Sequence, residues 1–103
     1  MTSTLFFPDW RERVVYAGPG PRPQLLHEDG TFKVVLVGLE PGGLIPPHPG
    51  EAGVYHFLEG AGRMQVDEEA CDVAAGSTVI VPAGASRGMA ATTRLAFIAV
   101  RAA

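Results

Sequence analysis

The sequence lacks most of the features that mark a disulfide-bonded, membrane or nucleic-acid-binding protein. Its single cysteine, Cys71, cannot form an intrachain disulfide, and its setting in an expected strand suits a small buried hydrophobe. No apolar run approaches the roughly 18 residues of a membrane span. The N-terminus has no basic region followed by an apolar stretch and a cleavage signal. Eight basic residues stand against eleven acidic ones, a net charge of −3, and only Arg11 and Arg13 lie close together, with Glu12 between them. Without a basic stripe there is nothing to track a phosphate backbone. The expectation is a soluble, cytoplasmic protein with neither nucleic acid nor membrane as a partner.

Motifs for phosphate binding and hydrolysis are missing as well. Neither G-x-G-x-x-G nor G-x-x-x-x-G-K-[ST] occurs, and the glycine-rich places lead into strands rather than into a helix with free N–H groups. There is no C-x-x-C pair and no H-E-x-x-H. Ser77 follows Gly76 but lacks the second glycine of a nucleophile elbow. No segment sustains a helical period with recognisable caps.

What is present is apolar sequence cut into short pieces. Of 103 residues, 47 % are hydrophobic, with 13 Gly and 9 Pro spread among them, the composition of strands separated by turns rather than of a disordered chain. The length suits one domain. Gln24 to Glu28 and Thr31 to Glu40 read as two strands joined at Asp29-Gly30, residue types that a tight hairpin demands. The second is rich in β-branched residues and should lie deep in a sheet. Pro46-Pro47 removes two backbone donors, so the segment around it is an edge or a stiff loop. Val54 to Glu59, Arg63 to Val66, Cys71 to Val73, Thr78 to Val81 and Leu95 to Val100 complete a series of short strands with the spacing of a sandwich or barrel.

Two segments then resemble the paired signatures of the cupin family. Gly76-Ser77-Thr78-Val79-Ile80-Val81-Pro82-Ala83-Gly84 reproduces the pattern G-x5-P-x-G. Gly43, His48, Gly50 and the strand Val54 to Gly60 resemble G-x5-H-x-H-x3-4-E-x6-G. The likeness covers about residues 42–91, and the flanking strands extend it over nearly the whole chain. It implies an all-β fold, a small antiparallel β-barrel or jelly roll of the cupin type. Residues 13–103 would form the domain, and residues 1–12 an arm or barrel cover.

The resemblance also implies two histidines and a glutamate from the first motif and a histidine from the second, gathered around Fe, Mn, Ni or Zn. Here His48 takes one histidine place and leaves Gly50 or Pro46 in the other. The glutamate place falls near Ala52 or Gly53, and Arg87 stands at the second-motif histidine. Arginine stays protonated and has no lone pair to donate. The expectation is therefore no cofactor; a divalent transition metal would have to use His48 with Glu51 or His56. If position 53 faces inward, strand alternation turns Tyr55 and Phe57 inward and His56 outward.

An interior with His48, Tyr55, Phe57 and Arg87 suits a small organic anion. Arg87 would offer a planar fork to a carboxylate or enolate, the aromatics would cover an apolar portion, and His48 would move a proton near neutral pH. The expected function is a small-molecule-binding cupin acting as a metal-independent isomerase or cyclase, with His48, Tyr55 and Arg87 as catalytic residues. The alternatives are a noncatalytic ligand-binding or sensor module and a metal-dependent oxygenase or isomerase with a non-standard ligand set. Each site residue also has a plain structural reading: His48 capped in a Pro-rich loop, Arg87 exposed at a barrel mouth, Tyr55 and Phe57 in the core. A homodimer is expected on size, with Phe6, Phe7, Trp10, Val14 and Val15 as contact material.

Overall fold

A computed structural model describes residues 4–103, so the first three residues of the expected arm lie outside it. After a 3-10 turn at Trp10–Glu12, nine strands follow: β1 (Arg22–Glu28), β2 (Phe32–Leu39), β3 (Leu44–Pro49), β4 (Gly53–Glu59), β5 (Ala61–Val66), β6 (Glu69–Ala74), β7 (Thr78–Val81), β8 (Ser86–Ala91) and β9 (Leu95–Ala102). Every expected strand is present. Among the described residues, no helix is long and apolar enough to cross a membrane.

The strands form two antiparallel sheets, a five-stranded one in the order β1-β2-β9-β4-β7 and a four-stranded one in the order β3-β8-β5-β6. This is a jelly roll of two facing sheets, and not a barrel closed all the way round. β3 is an outer strand, as its prolines require: its pairing with β8 shifts register between Ile45 and His48, where Pro46 and Pro47 have no N–H to give.

Alternation decides what each strand buries. Val35, Val37 and Leu39 of β2, Tyr55 and Phe57 of β4, and Leu95, Phe97 and Ala99 of β9 point into the gap between the sheets. Met64, Val73, Met89 and Ala91 meet them from the other sheet. Phe57 and Phe97 stand at the centre, with ring centroids 5.4 Å apart.

Turn chemistry sets the registers. The Asp29-Gly30 hairpin closes without a left-handed residue, because the Asp29 carboxylate accepts from the N–H groups of Thr31 and Phe32 at 2.7 and 3.0 Å. Gly76 and Gly84 do adopt positive φ, 95° and 84°, which explains why the second motif carries glycine at both ends. On the outer face of β2, the chain at Val14–Tyr16 passes so close to Gly38 that a Cβ there would strike the Val15 carbonyl. Tyr16 then ties this segment to β4 by donating to Glu59 Oε2 at 2.6 Å. Val14 thus packs on its own domain.

Candidate functional site

The two sheets do not meet along their whole length. Between them lies a cavity of about 190 Å³, walled by residues of β1, β2, β4 and β9 on one side and of β3 and β8 on the other. Pro21, Pro23, Val35, Val37, Ile45, Met89, Phe97 and Ala99 make its walls apolar. The polar side chains lining it are His48, Tyr55, Arg87 and Arg101, and no carboxylate is among them.

Arg87 projects inward from β8 and is only 2 % exposed. Its guanidinium is surrounded by oxygen atoms. Nε donates to Ala85 O at 3.3 Å, Nη1 to Glu51 O at 2.6 Å and to Tyr55 Oη at 3.2 Å, and Nη2 to Gly50 O and Ala85 O, both at 2.9 Å. Every N–H of the group has an acceptor in the protein. The expected fork toward an anion is therefore not presented, and neither is the exposed side chain at a barrel mouth. Arg87 instead binds the loop after β3 to the turn before β8. No acidic side chain pairs with it among the described residues, so its charge is stabilised by carbonyl dipoles alone.

Tyr55 is 5 % exposed and faces the same cavity from β4. Its oxygen accepts from Arg87, and among the described residues nothing accepts the phenol proton. His48 sits opposite Arg87 in the β3–β8 ladder, exposed at the cavity rim. Its Nδ1 lies 3.1 Å from Pro46 O. A carbonyl can only accept, so Nδ1 carries the proton, and in the neutral ring Nε2 holds a free lone pair.

The remaining expected residues are not brought to this place. Phe57 is fully buried in the packed core beside Phe97 and does not line the cavity. His56 is on the outer face of the sheet, where Nδ1 meets Thr78 Oγ1 at 2.7 Å. Glu51 is exposed and reaches the site only through its backbone carbonyl. Arg101 was not expected here. It follows Phe97 and Ala99 at period two on β9, and that alternation is the signal that would have found it. Its Nε is buried and, among the described residues, has no hydrogen-bond partner.

The positions that the family pattern assigns to metal ligands do not fit a metal. A Cβ at Gly50 would lie 3.4 Å from Cζ of Arg87, and a Cβ at Gly53 would lie 3.1 Å from Cγ of Arg101 and 3.2 Å from the Tyr55 ring. A side chain at Gly53 would crowd Arg101 and Tyr55, and one at Gly50 would touch the Arg87 guanidinium, a cation in place of a metal ligand. His48 is the only one of these four positions that offers a donor.

Comparison with known proteins agrees with the fold. A family model described as a cupin domain matches residues 35–101. No curated protein matches the sequence. A conserved protein of unknown function from Streptococcus pyogenes superposes with a TM-score of 0.85 at 20 % identity, covering 98 % of this chain and 90 % of its own. A protein from Thermus thermophilus gives 0.85 at 25 % identity over 93 % and 95 % of the two chains. An RmlC-like cupin from Desulfovibrio desulfuricans gives 0.79 at 23 % identity over 99 % and 96 %. The matched family region contains both motifs, the central strands and most of the cavity wall, and the chain belongs to the cupin domain family.

Proposed function

We propose that this cupin domain binds a small organic anion in the cavity between its sheets, without a metal. The observation that carries the reading is the lining: two arginines, one phenol and one histidine in an otherwise apolar wall, with no carboxylate among the lining residues. Few polar groups converging in an apolar concavity is the usual make-up of a small-molecule site. Arg87 has spent its donors on the protein, so Arg101, with its buried and unpartnered Nε, is the group for the ligand's charge.

His48 Nε2 and the Tyr55 hydroxyl supply an acceptor and a donor of protons to the same cavity. Proton transfer adjacent to a carbonyl, as in an isomerase or cyclase, is the chemistry that such a pair serves. One observation favours a noncatalytic binding or sensor role instead: His48 is exposed at the rim and has no acidic partner to orient it.

Calorimetric titration with a panel of small carboxylates, benzoate among them, tests the reading. At least one is expected to bind, and Arg101→Ala to weaken it about tenfold. Binding indifferent to Arg101 would reject the anion assignment. His48→Ala then separates the two roles: an isomerase loses turnover of the bound carboxylate, whereas a binding module has no turnover to lose.

A further inference from the structure

The phenol of Tyr55 has an unusual position among the polar groups of this cavity. It is more than nine-tenths buried, it faces the cavity, and the guanidinium of Arg87 donates to its oxygen at 3.2 Å. A phenol that accepts from a cation still has its own proton to give. Among the described residues no oxygen or nitrogen takes it. A buried donor without an acceptor is costly, and native structures rarely leave one unless a water or a ligand completes it.

We infer that Tyr55, held by Arg87, is the cavity's dedicated hydrogen-bond donor, and that the ligand is a compact one-ring molecule presenting a carbonyl or carboxylate oxygen to it. The inference rests on the cavity being the ligand site. Arg87 acts here as a positioning residue. Its other N–H groups are fixed on the carbonyls of Gly50, Glu51 and Ala85, so it cannot follow a moving phenol and holds that oxygen in one place. Its charge, which no acidic side chain balances, draws electron density from the phenol oxygen and makes the proton a better donor.

The ligand's size follows from the volume. A cavity of about 150 Å³ accommodates benzene, and this one holds about 190 Å³. A single six-membered ring with one short oxygen-bearing substituent fills it. Val35, Val37, Ile45, Met89 and Phe97 surround such a ring with apolar contacts. A polyhydroxylated sugar would leave most of its hydroxyls facing these side chains without partners.

The test uses two probes of nearly the same shape, acetophenone and α-methylstyrene, which differ in carrying an oxygen or a methylene at one position. Dissociation constants are measured by NMR titration on the full chain and on Tyr55→Phe, which removes only the hydroxyl. The ratio of the two affinities in the full chain should exceed that in Tyr55→Phe by about tenfold, and α-methylstyrene should bind both proteins alike. Arg87→Lys should reduce the same ratio, with α-methylstyrene affinity showing that the cavity is intact. If both probes bind and the ratio is unchanged by Tyr55→Phe, the donor assignment is wrong and the cavity remains a ligand site. If neither probe binds the full chain, the inference falls, and the cavity reading falls with it when benzoate also fails to bind.

Discussion

The guanidinium of Arg87 lies directly against Gly50: a Cβ there would touch it, 3.4 Å from its Cζ. A fixed cation therefore stands beside the one histidine, His48, that the family pattern retains. A divalent ion placed there would meet like charge and a single nitrogen donor.

Metal dependence follows from that relation. Treatment with a chelator, or addition of Fe, Mn, Ni or Zn salts, is expected to leave the thermal midpoint within about 1 °C of the untreated protein. An ion present at a hundred times its dissociation constant would add about 2.7 kcal/mol, several degrees for a domain of this size. A rise of that kind, lost in His48→Ala, would show a metal site.

Arg87 and Arg101 should separate stability from binding. Arg87→Ala removes a buried hub and leaves the carbonyls of Glu51 and Ala85 without their side-chain donor, while Gly50 O keeps the N–H of Gly84 at 2.8 Å. The expected loss is about 2–4 kcal/mol. Arg101→Ala, which breaks no hydrogen bond of its side chain, should lose less than about 1 kcal/mol, mainly the packing of its stem beside Gly53. Urea unfolding followed by circular dichroism measures both.

The β1–β2 hairpin carries an acid dependence. The hydrogen bond from His27, at 2.7 Å, and then the N–H groups of Phe32 and Thr31 hold the Asp29 carboxyl at about 2, below its ordinary 3.8. The folded state thus binds this proton less readily than the unfolded chain. The contribution is present above about pH 3.8 and is lost as pH falls toward 2. In Asp29→Asn the urea midpoint should change less steeply across that window; a slope equal to the parent's would assign the acid dependence to other carboxylates.

Association should involve the outer face of the five-stranded sheet. Val34, Val100, Val54 and Ile80 stand side by side on four successive strands, β2, β9, β4 and β7. Ile80 is 75 % exposed, and Phe6 of the arm is 79 % exposed. A homodimer that covers this row is the expected state at low micromolar concentration. Sedimentation equilibrium should give twice the chain mass, and Ile80→Glu the single mass. A parent protein that sediments as a monomer would exclude the dimer.

The strands most legible in the sequence were those whose local signals agreed. Thr78 to Val81 lies between a glycine and a proline, and the structure gives β7 these same bounds. β8 escaped notice because Ser86-Arg87-Gly88-Met89-Ala90-Ala91 has little β propensity. It forms because β3 and β5 pair with it on either side, and because Gly88 lets the β3 backbone at Ile45 and Pro47 come close. Closure was open in the sequence for a similar reason: turn signals and strand spacing are shared by barrels and by two-sheet jelly rolls, and only pairing across the molecule tells them apart.

At the candidate site, the sequence by itself determined which residue types stand at the family's ligand positions, and alternation in β4 determined that Tyr55 faces inward and His56 outward. It could not determine what Arg87 does. A guanidinium on an inward-facing position can reach for a ligand or for the protein's own carbonyls, and the choice depends on where the backbone at Gly50, Glu51 and Ala85 comes to rest, up to 37 residues away along the chain. The tertiary structure decided for the carbonyls, because a buried cation with no acid beside it is stable only when oxygen dipoles surround it. That choice satisfies Arg87 within the protein and leaves the cavity to Tyr55, His48 and Arg101.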